Sequence, residues 1–420
     1  MEINNKTLKP ALIYLFFTAW FINIALHIPS FYRTSFKGDE IVYLYLSQNM
    51  GWDLSNYSTA SHPGISRSPN TIYRQPVFHH GPLLPYVMKT GALFASPATA
   101  ALFFENCAMG MLFIHLLVLF RRLSIPPAWQ VLGFFATAIA PLLLFSTTRI
   151  HLDALAGIFI ACAIIAFIEA LEKKSLAWTL WCGLLFALAL NLRFSAIIGL
   201  PLIVFGQLYW LLSVQSGQGS STPENDTFKQ KLLTFEHWKA FSIITLIVAT
   251  LGMEHFYRLF AAYGSVNPWD FMIKDPTNSW YQFIQTRTRS KNFINLILLI
   301  PLFMVFFVPQ TWRTIRDGLV DRDWGAFCAF SSLYLLLVLI MFSYREMRLF
   351  ALAMPMFYCC LPWIFARHKS THTPLYLSLI AISFSLMITA GYREAVVRPN
   401  EVFQIVPVID ELIPPLKKYW

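Results

Sequence analysis

Residues 37–89 read KGDEIVYLYLSQNMGWDLSNYSTASHPGISRSPNTIYRQPVFHHGPLLPYVMK, and this polar stretch between two apolar segments decides how the rest of the chain is read. It opens on adjacent carboxylates, Asp39 and Glu40, and closes on His79, His80, Gly81 and Pro82. Its surroundings are lipid-soluble: 56% of the 420 residues are hydrophobic, 16% aromatic and 13% charged, with a mean hydropathy of +0.54. Soluble domains carry about 25% charged residues, so the composition is that of an integral membrane protein. Hydrocarbon offers no partner to a backbone amide, so apolar runs of this length must cross as helices.

Windows of roughly 20 apolar residues predict about eleven spans, at 11–29, 99–120, 128–146, 153–171, 176–191, 195–213, 240–257, 292–309, 324–343, 349–366 and 375–391. The expected fold class is an all-α polytopic membrane protein in which 1–391 is one membrane domain. Within it, 30–98 is a large first loop carrying short amphipathic helices, 214–239 a linker and 257–291 a second loop; 392–420 is a tail. Connectors on one side carry Lys6 and Lys9, Arg121 and Arg122, Lys173 and Lys174, Lys229 and Lys231, Arg313 and Arg316, and Arg367 and Lys369. The positive-inside rule makes that side cytoplasmic. The 30–98 loop, the turns at 146–153, 191–195 and 343–348, the 257–291 loop and the tail then face outward. The N-terminal apolar run lacks an A-x-A-like cleavage site and is read as a retained first helix. SVQSGQGSSTPEND at 213–226 reads as a flexible linker, and no internal repeat is visible.

The net charge of +10 suits anionic headgroups or a phosphate-bearing substrate. Nucleic acid is not an expected partner, because the basic residues are scattered among spans. The six cysteines form no C-x-x-C pair and read as inert core residues. The longest non-spanning stretch is about 70 residues, too short for a nucleotide-binding domain, and no Gly-rich phosphate loop exists. Any substrate at the outer face must arrive without a nucleotide domain to hold it.

Asp39 and Glu40 precede IVYLYLSQNM, which has helix-like apolar spacing. Asp39 is thus either a helix cap or an acid presented to a lipid-borne headgroup at the membrane surface. Asp153, after Arg149, Ile150, His151 and Leu152, carries the same two readings, and the orientation derived without them puts both acids on one face. His79 and His80 are neighbours whose side chains point apart, and no ligand spacing supports zinc; one of them is a candidate to bind a substrate hydroxyl or phosphate. Arg345 and Arg348, flanking Glu346 in the turn at 344–348, share a helix face and have the guanidinium geometry that suits phosphate, although snorkelling explains them as well. Arg193 in the turn after 191 has the same two readings. Glu105, near the start of the second window, is expected to face the polar loop. Tyr263, Trp269, Trp280 and Tyr281 read as an aromatic belt, with sugar stacking as the alternative.

Taken in order, these motifs resemble the C-type glycosyltransferase superfamily, and above all the protein O-mannosyltransferases and the bacterial lipid A aminoarabinose transferases. Asp39-Glu40 is similar to that superfamily's acidic pair, RIHLDALAG around Asp153 to its second acidic turn, and FHHGPLLPY to its His-Pro-Pro or Lys-Pro-Pro segment, with Gly81 standing where the first proline belongs. The resemblance covers roughly residues 10–200 and more loosely 340–366. It implies an enzyme that takes a sugar from a polyprenyl monophosphate and transfers it, with inversion, to an acceptor on the extracytoplasmic side. Residue chemistry agrees. A phosphate-linked sugar already has a good leaving group, so no strong general acid is needed, unlike glycoside hydrolysis. One base must take the acceptor proton, and cations must stabilise the departing phosphate.

The expected base is Asp39. Glu40 and Asp153 are expected to position acceptor or sugar, or, with Asp39, to hold a divalent ion such as Mg or Mn if one is used; no metal site is assigned. Arg193, Arg345 and Arg348 are the phosphate candidates. Expected partners are the polyprenyl-phosphate sugar donor, a glycan, lipid or protein acceptor, and membrane lipids. A chain without appended lumenal domains favours a bacterial plasma membrane over the endoplasmic reticulum. Two other readings compete. A transporter or flippase calls for mid-membrane charges, broken helices and a repeat. A polymerase or ligase of lipid-linked oligosaccharide calls for a large outer loop late in the chain, whereas here the largest comes first.

Overall fold

The computed structural model describes residues 5–64, 77–78, 80–216, 235–264, 297, 300–342, 347–367, 373–398 and 400. Every regular element among the described residues is helical. In chain order they are α1 (Asn5–His27), α2 (Asp39–Asn49), α3 (Leu83–Gly91), α4 (Pro97–Arg122), α5 (Pro127–Ala138), α6 (Pro141–Thr147), α7 (Leu152–Lys173) and α8 (Leu176–Leu192). There follow α9 (Leu200–Ser216), α10 (Phe235–Ile247), α11 (Glu254–Tyr263), α12 (Pro309–Val320), α13 (Trp324–Phe342), α14 (Met354–Arg367) and α15 (Thr373–Tyr392).

The molecule is wrapped around α7. Its sequence, LDALAGIFIACAIIAFIEALEK, is apolar on every side, and such a helix is stable only when other helices surround it. Its apolar window is entirely buried. It packs against α4, α8, α14 and a 3-10 turn at Met347–Leu352. That turn comes so close at Gly157 that a Cβ there would stand 2.3 Å from the Leu352 carbonyl oxygen. Local signals start the neighbouring helices: Ser96 caps α4 by accepting the Thr99 N–H at 3.1 Å, with Pro97 at the first helical position.

Among the described residues five helices are long and apolar enough to cross a membrane, and seven if each of two bent pairs counts as one span. Eleven were expected, and the shortfall has local causes. The 128–146 window is two helices bent by 43°, because Pro141 has no amide to donate and its ring clashes with the preceding turn. The 240–257 window bends by 47° after a π-helical turn at Val248–Gly252. The apolar helices Leu176–Leu192 and Trp324–Ile340 are shorter than a full span. The 349–366 window divides between the 347–352 turn and the 14-residue α14. Much of the 292–309 window lies outside the described residues; its end is a 3-10 turn at Pro301–Phe307.

With 22 residues α7 is about 33 Å long, and polar networks sit at its two ends. At the C-terminal end Glu169 takes Arg122 at 2.9 Å and Lys173 at 2.6 Å. Glu172 accepts the Trp324 indole N–H at 2.9 Å, and Asp323 holds Arg367 at 2.8 Å and the Trp363 indole at 3.0 Å. The basic connectors after α4, α7 and α14 therefore meet at one end of the molecule. The N-terminal end of α7 carries the residues singled out by the sequence.

Candidate active site

Successive residues on a helix are about 100° apart, so Asp39 and Glu40, the first two residues of α2, diverge. Glu40 turns inward and is fully buried. Arg33 forks onto it, Nη1 to Oε1 at 2.7 Å and Nη2 to Oε2 at 2.6 Å. The Lys37 and Ile150 amides donate to the same carboxylate, each at 3.1 Å. Four donors fully engage it, in a buried bidentate geometry that is strong when every lone pair is met. Arg33 Nη1 also donates to the Thr148 carbonyl at 3.3 Å. The acidic loop is thereby tied to the turn that ends three residues before Asp153. Asp39, by contrast, stays half-buried. It is the first residue within α2 rather than its cap, a position that Gly38 fills.

Asp153 lies in the first turn of α7 at 2% exposure, and its Oδ1 meets Arg193 Nη1 at 2.6 Å. Arg193 is held in extended backbone between α8 and a 3-10 turn at Phe194–Gly199, with its side chain 17% exposed. Two residues selected separately from the sequence thus form one ion pair, the guanidinium being the more accessible partner.

The 77–82 segment is fixed through its backbone. The Tyr57 hydroxyl donates to the His80 and Gly81 carbonyls, each at 3.0 Å. Burial pushes that phenol well above its ordinary range, which keeps it a donor. The His80 ring rests against Phe78 and Tyr43, with centroids 5.4 and 6.2 Å away. Gly81 lies against the backbone of Asn191, where a Cβ would be 2.0 Å from the Asn191 carbonyl oxygen. No residue with a Cβ, proline included, fits there without moving that backbone. This close approach gives a physical reason for glycine at position 81, and it sets the His80–Gly81 turn two residues from Arg193.

Three further charged residues at this end were assigned no role from sequence. Arg149 is fully buried, donates to the Arg398 carbonyl at 2.6 Å and the Phe145 carbonyl at 3.0 Å, stands over the Phe145 ring and faces Glu394 at 3.5 Å. Glu394 is fully buried as well, and Arg33 is the partner of Glu40 already described. The signals were weak: Arg33 stands alone past the first apolar run, and Glu394 sits among the charges that close the last one. Glu105 is fully buried, with the His151 backbone near it and, from the 30–98 loop it was expected to face, Glu40 and Arg33.

His79, Arg345 and Glu346 lie outside the described residues, as does the side chain of Arg348. The backbone of Arg348 belongs to the 347–352 turn that packs on α7 near Gly157, one helical turn from Asp153. Among the described residues no three acids, histidines or cysteines converge. Glu40 and Asp153 face guanidinium groups, so their negative charge is already matched and these two carboxylates do not fit a divalent ion.

Comparison with known proteins bears on what this end of the molecule is for. The model of a family described as dolichyl-phosphate-mannose-protein mannosyltransferase matches residues 79–221, roughly a third of the chain. That segment runs from the His80 turn through Asp153 and Arg193. No curated protein matches the chain. The crystal structure of the Archaeoglobus fulgidus oligosaccharyltransferase in the apo form superposes with a TM-score of 0.51 at 12% identity, over 97% of this chain and 59% of that one. The chain therefore spans about three fifths of that protein's length, and the likeness is one of fold. Over residues 79–221 the chain is thus similar to that mannosyltransferase family, and its fold is similar to that of the oligosaccharyltransferase.

Proposed function

We propose that the chain moves a sugar from a polyprenyl-phosphate donor to an acceptor hydroxyl, at the membrane face opposite its basic connectors, with inversion at the anomeric carbon. The observation that carries the reading is the sorting of charge at one end of α7: Glu40 fully buried and locked, Asp39 half-buried, and Arg193 partly exposed and anchored by Asp153.

Asp39 acts as the base. It takes the proton of the acceptor hydroxyl while that oxygen attacks the anomeric carbon, and the bond from that carbon to the phosphate oxygen breaks with its electron pair on the phosphate. The departing polyprenyl monophosphate needs cations already in place. Arg193 supplies one, and Arg345 and Arg348 are the others. Asp153 aims Arg193, and Glu40 fixes α2 so that Asp39 stays at the surface of the site. His79, His80 and Glu346 are assigned to sugar or acceptor binding. The acceptor is a glycan, a lipid or a protein side chain, nucleic acid plays no part, and the site opens on the extracytoplasmic side of what the sequence favours as a bacterial plasma membrane.

A carrier or flippase is the second reading, and the two bent helix pairs favour it. Mass spectrometry of membrane glycolipids and glycoproteins, with and without the protein, separates the two. A transferase deletion removes one sugar from one acceptor and leaves charged donor behind. An unchanged set of glycans and acceptors, with donor merely confined to one leaflet, overturns the transferase reading.

A further inference from the structure

Next to the proposed site lies a cleft of about 400 Å³, between the loop at 51–54, α3, the end of α8 and the start of α11. We infer that this cleft is a saccharide subsite, and that the acceptor, on the transferase reading above, is therefore a glycan whose ring rests on Trp52.

The platform is built for such a ring. The Trp52 indole stacks on Tyr86 at 6.4 Å and 23°, and Lys89 stands over it at 5.3 Å. Tyr86 and Lys89 are three residues apart on α3 and so share a face of that helix, from which both reach the indole. Trp52 nevertheless remains 59% exposed, so much of the indole surface is open to solvent. The Tyr86 hydroxyl ties the assembly by donating to the Trp52 carbonyl at 2.6 Å. Exposed indole surface takes the C–H face of a pyranose, and the polar part of an otherwise leucine-rich lining supplies what the sugar hydroxyls need. Asp53 offers a carboxylate held ionised by the Ser55 hydroxyl and amide. The ion-paired Glu254 and Arg258, on the first turns of α11, offer an acceptor and a donor.

The occupant is further narrowed by exclusion. An acyl or prenyl chain gains nothing from three charged groups, and would pay to desolvate them. A phosphate meets Asp53 and Glu254 beside Arg258 and Lys89, a balance without the net positive charge that would favour it. The volume falls within the range of small-molecule sites, about 300–1,000 Å³. Position fits as well. Asn191 lines the cleft, its amide donating to the Leu251 carbonyl at 2.7 Å, and it stands two residues before Arg193. Its donation to Leu251 also holds the π-helical turn at Val248–Gly252, a distortion that recurs at functional sites.

The test uses the purified full-length chain in detergent, with no donor present. It is titrated with methyl α-D-mannopyranoside, methyl β-D-glucopyranoside, methyl β-D-galactopyranoside and N-acetylglucosamine, while tryptophan fluorescence and saturation-transfer NMR are recorded. At least one probe binds, and Trp52→Ala weakens it by about fivefold or more, the scale of a lost aromatic contact. Asp53→Asn weakens it too, whereas Trp312→Ala, at an exposed tryptophan outside the cleft, does not. The inference is overturned if no probe binds, or if the Trp52 and Asp53 variants bind as the native chain does. Donor consumption by the native chain is scored separately. If donor is consumed and no saccharide binds, this inference fails alone; if saccharide binds and donor is never consumed, the transferase reading fails while the cleft stands.

Discussion

Replacing Glu40 by Gln leaves a buried Arg33 guanidinium opposite a neutral amide, and breaking one side of a buried pair costs about 3–5 kcal/mol. The Tm of the detergent-solubilised Glu40→Gln protein is expected to drop sharply, whereas Asp39→Asn, at a half-buried position, stays close to the native Tm. Equal drops for the two would remove the distinction between anchor and base. The acidic pair was legible in the sequence, but the different fates of its members were not. Which acid turns inward depends on how α2 seats against the amide of Ile150, 110 residues away in the chain, and no local pattern encodes that contact. Asp153 and Arg193 were each legible for a similar reason, as charges in short turns between apolar runs; their pairing was not. A second residue-scale expectation concerns pH. Asp53 titrates below its ordinary value, chiefly through the Ser55 hydroxyl, with the Ser55 amide and Arg258 adding to it and Glu254 and Tyr86 near by. A depressed carboxylate keeps its charge until the pH falls through its folded-state value. Ser55→Ala removes the hydroxyl donor and moves that value upward, so the acid limb of saccharide binding shifts to higher pH. An unmoved limb would mean that Asp53 does not hold the sugar.

At the scale of elements, the apolar runs located the helices well, because a 20-residue apolar stretch has few alternatives in hydrocarbon. What hydropathy windows overlook is where a helix breaks. The kink after Ala140 follows from Pro141, a signal present in the sequence but averaged away over a window. The π-helical turn at Val248–Gly252 has no such mark, since it is held from outside by Asn191. Docking between elements was equally hidden. The approach of the 347–352 turn to α7 is permitted by Gly157, and Gly157→Ala pushes a methyl group to 2.3 Å from the Leu352 carbonyl oxygen. Overpacking of that kind costs about 1–3 kcal/mol. Because the same turn carries Arg348, donor affinity should fall together with Tm in the Gly157→Ala protein. A lowered Tm with donor affinity intact would detach Arg348 from the phosphate site.

Over the whole molecule, charge is sorted to the two ends of a buried central helix about 33 Å long. Glu169, Glu172 and Asp323 collect the arginines and lysines of three connectors at one end; Glu40, Asp153 and Glu394 engage arginines at the other. The first set is what the charge rule reads as a cytoplasmic face, and in the second Asp153 lies within the segment, 79–221, that is similar to a mannosyltransferase family. The composition disclosed the membrane and the order of motifs pointed to a likeness with membrane glycosyltransferases, whereas which acids are buried and paired required the fold. The most direct measurement of the central claim is single-turnover mass spectrometry of the purified chain with a polyprenyl-phosphate sugar, following release of polyprenyl monophosphate. The native chain is expected to release it stoichiometrically with glycosylated acceptor. Asp39→Asn should still bind the donor but turn it over more slowly by a factor of about 100 or more, the loss of a general base. Native-like release from the Asp39→Asn protein, or donor moved across the bilayer but never cleaved by the native chain, would contradict the account.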